Sequence, residues 1–426
     1  MKKNHNSISL HNKQEMKFID LCCGIGGFHQ ALTKLGYECV LASDIDDDCR
    51  KNYEQNYKIK PEGDLTDINV QDIPPFNILC AGFPCQPFSK AGEQKGFDDT
   101  RGNIFFDICN IIKYHTPEYL ILENVRNLAS HDKGNTWKVI YSLLDKLNYY
   151  TYENPLILNT LYFGVPQSRE RVVILCKRKD LGKLPPLPDI SRKNIKNTSL
   201  VTIIDDNVDK KYNISPKLKT TEEVWNDFLE ICNNNNIDVP KFPIWTDWWD
   251  SDGNNTTVTK YKKGLTKEQN EENILKQQKA FYKKYKNWID SNRDFYNKHK
   301  NVLEEWLTRS RKKKLWLGAV RKMEWQTGEN NLNMKQVLWS PRGSGVRIKK
   351  LNYSPTLVAM VSMIPIYGPK SRMLTPRECA RLQSFPENYI IHENDKIAYK
   401  QFGNAVNVKM IEQCARFLIN GETLFD

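Results

Sequence analysis

Five short apolar runs, MKFIDLCC, ECVLASD, FNILCAG, EYLILEN and RVVILCK, recur through the first 180 residues with amphipathic stretches between them. Runs this short, rich in Ile, Val and Leu, suit strands buried on both faces, and the spacers are long enough for crossover helices. The spacing predicts helices over residues 28–35, 48–57, 104–114 and 136–147. The expected fold is therefore α/β, a doubly wound and mostly parallel sheet of Rossmann type. In such a sheet ligands bind beyond the carboxyl ends of the strands, so the residue that closes each run is where chemistry is sought.

The rest of the chain is organised differently. At LPPLPD, residues 184–189, three prolines in six positions interrupt both helix and strand. Beyond it the sequence is rich in Asn and Lys and holds nine of the ten tryptophans, between Trp225 and Trp339. A second, smaller domain with an aromatic core is expected over residues 188–372, followed by a return to the first domain over 373–426. The first domain then spans residues 1–187. With 39% hydrophobic and 11% aromatic residues the chain is too apolar for a disordered protein. No window approaches a membrane span, and the N-terminus has no apolar stretch of signal-peptide type, so an intracellular protein is expected. The eleven cysteines, without C-x-x-C spacing, suggest neither a disulfide framework nor structural zinc.

The net charge of +12 is localised. Residues 260–322 hold 19 Lys plus Arg against 7 Asp plus Glu, which equals the whole surplus. The segment has helical spacing of Ile274, Phe281, Trp288 and Leu303, so it reads either as a solvated helical face or as a surface for a polyanion.

The first apolar run delivers Asp20 and then Cys22-Cys23-Gly24-Ile25-Gly26-Gly27, a glycine-rich strand-to-helix turn that lets a ligand approach the main chain. Asp44, twenty residues after Gly24, closes the second run, where a carboxylate can accept from ribose hydroxyls. Asp64 follows in EGDLTD, with Leu65 beside it. His29 stands where the dinucleotide fingerprint wants glycine, and so many acids would repel a pyrophosphate. A phosphate-free cofactor with a sulfonium charge, S-adenosylmethionine, suits the site better, and no metal is expected.

After the third run comes Phe83-Pro84-Cys85-Gln86-Pro87-Phe88-Ser89, a cysteine between two prolines among polar, turn-forming neighbours. That setting favours a nucleophile over a buried thiol. The fourth run ends in Glu123-Asn124, and Arg169 and Arg171, the latter opening the fifth run, stand two apart and so share one face of an extended strand. A thiol, an acid and paired guanidiniums on neighbouring strand ends form a constellation.

These motifs, DLCCGIGGF, SDID, GFPCQPFS, ENV, QSRER and QFGNAV in this order, resemble the bacterial DNA (cytosine-5) methyltransferases. The resemblance covers roughly residues 17–180 and 372–420 and implies sequence-specific methylation of carbon 5 of cytosine in double-stranded DNA. It implies that the base is flipped out and that Cys85 adds to carbon 6. Glu123 then looks like the proton donor at N3, with Arg169 and Arg171 binding the base oxygen and the backbone phosphate. Carried over residue by residue, Cys22, Gly24, Gly26, Gly27, Asp44, Ile45, Asp64, Leu65, Pro84 and Asn404 form the cofactor site. The loop from Gln86 to Gly102 closes over the base, with Gln86, Ser89 and Arg101 on DNA. The middle domain becomes the target-recognition domain, with Arg342, Arg347 and Thr356 in its reading segment, and the subgroup acting on GG-N-CC or GG-W-CC sites is the one it is similar to.

The resemblance further implies a monomer in the bacterial cytoplasm, serving a restriction-modification system beside an endonuclease with which it forms no stable complex. Cys22, Ile45 and Ala405 depart from the family pattern, which uses larger or aromatic residues at the first two positions and serine at the third, and weaker cofactor binding is the consequence expected. An RNA cytosine-5 methyltransferase is the first rival, disfavoured by the large second domain. A catalytically dead DNA-binding regulator and an NAD-dependent oxidoreductase are the others, disfavoured by the intact constellation and by His29.

Overall fold

A computed structural model describes residues 16–84, 104–249, 264, 266–329 and 331–425. The chain forms two compact units, residues 1–198 with 380–426, and residues 199–379.

In the first unit the apolar runs become strands β1 (Lys17–Leu21), β2 (Glu38–Ser43), β3 (Ile78–Gly82) and β4 (Tyr119–Val125). The short β5 (Tyr149–Tyr150) and β6 (Leu156–Asn159) follow, then β7 (Glu170–Arg178). Together they make a seven-stranded sheet of order β2-β1-β3-β4-β7-β5, with β6 also on β7. β1 to β4 are parallel, and β7 runs antiparallel to β4. The chain passes from β1 to β2 on one side and places β3 on the other. The crevice between the ends of β1 and β3 is thus a topological switch point, where open α/β sheets bind ligands.

Helices α1 (Gly27–Thr33), α2 (Asp47–Tyr57), α3 (Ile104–His115) and α4 (Asn135–Lys146) cover the sheet. α2 starts where it does because the Asp46 carboxylate accepts from the amides of Asp48 and Cys49, and Asp47 and Asp48 complement the helix dipole. α3 buries Phe105, Ile108, Cys109, Ile111 and Ile112 against Leu79, Leu120 and Leu122 of the sheet, one continuous core. The C-terminal return contributes α8 (Asp395–Asn404) and α9 (Val408–Ala415). The ten cysteines among the described residues are free thiols, eight of them buried, and no described helix is long and apolar enough to cross a membrane.

The second unit contains α5 (Pro216–Asn234), α6 (Lys267–Lys298) and α7 (Lys300–Arg311). It also has strands β8 (Ile244–Trp245), β9 (Lys322–Trp325), β10 (Leu338–Arg342), β11 (Gly345–Lys349), β12 (Ile366–Tyr367) and β13 (Arg372–Met373). The sheet order is β13-β12-β10-β11-β9-β8. Its core is built from Trp225, Phe228, Trp249, Trp306, Trp316 and Trp339, so these tryptophans are packing residues and present no open ring to a base. Within the basic segment, residues 267–298 and 300–311 form α6 and α7. Phe281, Tyr285 and Trp288 of α6 pack on Trp245 and Trp248, while Lys276, Lys279, Lys283 and Lys284 face solvent.

Candidate active site

At the switch point a cleft of about 380 Å³ opens, lined from the ends of β1, β2, β3 and β4 and from the C-terminal return. That size falls in the range of small-ligand pockets.

The glycine turn after β1 forms the floor, and each glycine meets a different demand. A Cβ on Gly24 (φ +53°) would touch nothing within 4 Å, so its backbone stands open to the cleft. On Gly26 (φ +79°) it would lie 2.3 Å from the Tyr57 ring, and on Gly27 2.4 Å from Val406 Cγ2 and 2.8 Å from the Val406 carbonyl oxygen. Gly27 lines the cleft and is also required by the returning segment, which leaves no room for a Cβ. The Gly24 amide donates to Asp44 Oδ2 at 2.7 Å, and the Asp46 amide donates to Asp44 Oδ1 at 2.8 Å. Burial pushes the Asp44 carboxyl up, and these two amides pull it back. Each carboxylate oxygen keeps a lone pair for a ligand hydroxyl. Cys22 lines the cleft with its thiol pushed up to about 12, first by burial and then by the field of Asp44 and Asp20, so it stays neutral.

Asp64, Leu65 and Ile45 do not line this cleft. Asp64 is half-buried and lines a separate hollow, where Oδ1 accepts from the amide and hydroxyl of Thr66, both at 2.9 Å, and these bonds hold its carboxyl low. Leu65 packs into the hydrophobic core, and Ile45 is 74% exposed. His29 is buried, accepts or donates at Nδ1 to the Tyr53 hydroxyl at 2.8 Å and stacks on Tyr57, with burial lowering its pKa to about 4. It is a neutral core residue.

The second wall starts at Phe83 and Pro84, both lining the cleft. Cys85, Gln86, Ser89 and Arg101 lie outside the described residues. The carbonyl of Phe83 accepts from Asn124 Nδ2 at 2.8 Å, which fixes the point from which the segment carrying Cys85 departs.

Glu123 and Arg171 form the third wall. In the antiparallel register Val125 faces Arg171 and Glu123 faces Val173, so Glu123 and Arg171 are diagonal neighbours on one face. Arg171 Nε lies 2.8 Å from Glu123 Oε1, both side chains nearly buried. The contact is an ion pair whose N–H does not aim squarely at the oxygen. Burial pushes the Glu123 carboxyl up, and Arg171 and, less, Arg169 pull it down; the net direction is up. A carboxyl placed this way favours the acid form more than a surface glutamate does.

The two arginines expected to act together divide their work. Arg171 lines the cleft. Arg169 is wholly buried and its Nη2 donates to the carbonyls of Gly403 (3.1 Å) and Ala405 (2.8 Å). Arg169 is not among the residues lining the cleft, and its two bonds hold the returning segment in place. The Glu170 carboxylate between the two arginines pairs with Arg126 at 3.1 Å.

Three residues with no assigned part hold the same segment. Gln167 Nε2 donates to the Leu382 carbonyl at 2.9 Å, Gln383 Nε2 to the Phe402 carbonyl at 2.7 Å, and Asn407 Nδ2 to the Leu382 carbonyl at 3.1 Å. Gln167 opens the QSRER motif, and its presence there was the available signal. The segment delivers Asn404, exposed and lining the cleft. Lys400 bonds to Asp46 at 2.7 Å at the cleft mouth.

The described lining is acidic, with Asp44, Asp46 and Glu123 against the single cation Arg171, itself paired. Such a set repels phosphate and suits a cationic, phosphate-free ligand, so the residues fit S-adenosylmethionine. Among the described residues no group of His, Cys, Asp and Glu could hold a metal ion.

Residues 16–420 match the family of C-5 cytosine-specific DNA methylases. The chain is 31% identical to the type II methyltransferase M.HhaI of Haemophilus parahaemolyticus, over 96% of each chain. It is 33% identical to the type II methyltransferase M.BanI of Aneurinibacillus aneurinilyticus, over 94% of each. Among solved structures, a variant of Spodoptera frugiperda DNMT2 superposes with a TM-score of 0.51 at 19% identity, covering 96% of this chain and 100% of that one, a likeness of fold. The chain belongs to the C-5 cytosine-specific DNA methylases and is a DNA (cytosine-5) methyltransferase.

Proposed function

We propose that this enzyme methylates carbon 5 of one cytosine within a specific sequence of double-stranded DNA, as the modifying partner of a type II restriction endonuclease with which it need form no stable complex. The names of its relatives support the restriction-modification setting. The observation that carries the chemistry is the Glu123–Arg171 pair, a nearly buried acid whose hold on a proton burial strengthens, in the same cleft as the Gly24–Asp44 turn.

Carbon 5 of cytosine is too weak a nucleophile to be methylated directly. In this reading the Cys85 thiolate adds to carbon 6, Glu123 donates its proton to N3, and the ring becomes an enamine nucleophilic at carbon 5. When bound, S-adenosylmethionine supplies a methyl group made electrophilic by its sulfonium charge. Methyl transfer leaves S-adenosylhomocysteine; loss of the carbon 5 proton to water then re-forms the 5,6 double bond and expels the Cys85 thiolate, and N3 returns its proton to Glu123. Arg171 holds the base oxygen, and its positive field favours the thiolate, a minor form of an ordinary cysteine at neutral pH. Arg169 acts at one remove, by holding residues 403–405 against the cofactor. None of this fits inside a base stack, so the cytosine is flipped out at a cost of a few kcal/mol. Gln86, Ser89 and Arg101 belong to the loop that closes on it.

For the cofactor, the open backbone at Gly24 and the lone pairs of Asp44 receive the ribose and amino-acid portions, with Pro84, Cys22 and Asn404 as walls. Ile45, left in water, has an apolar face to offer the adenine, and Asp64 keeps Oδ2 for its amine. The unit of residues 199–379 serves as target-recognition domain, with Arg342, Arg347 and Thr356 at the DNA, on a GG-N-CC or GG-W-CC site.

The test is incubation with methyl-labelled S-adenosylmethionine and either duplex DNA or tRNA, with Cys85→Ser as control. Label at carbon 5 of cytosine in DNA, absent in the variant, is expected. Label in tRNA alone, or none, would refute the proposal. Sequencing the methylated positions gives the recognised site, and a context lacking GG and CC flanks refutes that part.

A further inference from the structure

The sheet of the second unit has two unlike faces. One carries Met323, Trp325, Trp339, Val346 and Ile348 into the tryptophan core. Alternation along the strands puts Glu324 of β9, Ser340 and Arg342 of β10, and Arg347 and Lys349 of β11 on the other. Glu324 stands beside Arg347 in the parallel pair, and Ser340 stands beside Arg347 in the antiparallel one. Arg347 thus lies between an acid and a hydroxyl.

Arg347 Nε donates to Glu324 Oε2 at 2.7 Å, with the acid side chain 15% exposed and the arginine 29%. Among the described residues no hydrogen bond reaches its two terminal nitrogens. Next to it, the buried Nε of Arg342 and the buried Oγ of Ser340 have no hydrogen-bond partner among the described residues. Three cations, Arg342, Arg347 and Lys349, share one carboxylate here. Burial, and then repulsion among them, depresses Arg342 and Lys349. A surface with donors to spare and too little negative charge wants an acceptor-rich partner, and guanine offers O6 and N7 side by side in the major groove.

We propose that Glu324 is the positioning residue of the recognition surface: by taking Nε of Arg347 it fixes the guanidinium plane and leaves both terminal nitrogens to bond one guanine of the target. The inference rests on the reading of residues 199–379 as the recognition unit. A surface that only neutralised phosphates would gain nothing from Glu324, because a carboxylate repels them and phosphate contact needs no fixed plane.

The test uses the full-length enzyme and its sequenced target, comparing kcat/KM on the cognate duplex with duplexes altered at one base pair each. Glu324→Ala is expected to lower discrimination at a single G·C pair roughly 10- to 100-fold, at the same pair that Arg347→Ala relaxes. KM for S-adenosylmethionine should not move. Affinity for non-specific DNA should hold or tighten, since a negative charge has gone, an effect that a merely structural role would not give. Glu324→Gln, which keeps an oxygen for Nε, should retain most of the discrimination. If Arg347→Ala relaxes one pair and Glu324→Ala relaxes none, the positioning role is wrong while the recognition unit stands. Should neither variant change discrimination, both ideas fall.

Discussion

Replacing Arg169 by methionine separates a clamp from a substrate contact. The guanidinium is wholly buried and gives two charge-assisted hydrogen bonds to the carbonyls of Gly403 and Ala405. Bonds from charged groups contribute roughly 1.5–3 kcal/mol each, so two lost bonds amount to about 3–6 kcal/mol. Removing a buried charge returns part of this, since desolvating a guanidinium is itself costly. A net loss of about 2–4 kcal/mol is expected, a large share of a typical stability. Because Gly403, Asn404 and Ala405 line the cleft, loosening them should raise KM for S-adenosylmethionine. Urea denaturation and initial rates at saturating DNA measure the two effects. The expected pattern is a lowered urea midpoint and a raised cofactor KM, with sequence discrimination intact. An Arg169→Met enzyme with wild-type stability and cofactor KM but a kcat lowered by orders of magnitude would refute the clamp and put Arg169 back at the base.

Three further outcomes follow from other contacts. Gly27→Ala drives a methyl group to 2.4 Å from Val406 Cγ2 and 2.8 Å from its carbonyl; overpacking of this kind costs about 1–3 kcal/mol, and Val406→Ala should rescue only part of the lost urea midpoint because the carbonyl remains. Burial raises the Glu123 carboxyl and Arg171 is the strongest opposing charge, so the acid form is lost as pH rises, and removing that charge in Arg171→Gln should move the basic limb of residual kcat to higher pH; a shift to lower pH contradicts the assignment. In the second unit Arg372 is paired bidentately with the buried Glu378, at 2.6 and 2.8 Å. Glu378→Ala strands the guanidinium and should destabilise that unit by about 3–5 kcal/mol, read as an earlier loss of tryptophan fluorescence in urea.

The parallel sheet was legible because each strand is buried on both faces and so reads as an unbroken apolar run. The Gly24–Asp44 relation was legible too, since a spacing of one strand-helix-strand step brings the ends of β1 and β2 together, and the structure joins them by a 2.7 Å bond. Arg169 and Arg171 both act on the Glu123 carboxyl, but of the two Arg171 alone lines the cleft. Their spacing of two puts them on one face only if the strand is continuous, and β7 begins at Glu170. Asp64 had no local signal of its outward direction, which the Thr66 bonds set. The Glu324–Arg347 contact was invisible because parallel pairing of β9 with β11 joins residues 23 apart across a different strand. The tryptophans read as core because burial is the commoner use of aromatics, and the fold places Trp225, Trp249, Trp306, Trp316, Trp325 and Trp339 there.

The central claim is covalent catalysis by Cys85 on a flipped cytosine. Its most direct measurement is a denaturing gel of the enzyme incubated with S-adenosylmethionine and a duplex carrying 5-fluorocytosine at the methylated position. Fluorine cannot leave carbon 5 as a proton does, so the account predicts a one-to-one protein–DNA adduct that requires the cofactor and is absent in Cys85→Ser. Methylation of the ordinary duplex with no adduct on the fluorinated one, or an adduct that persists in Cys85→Ser, would contradict it.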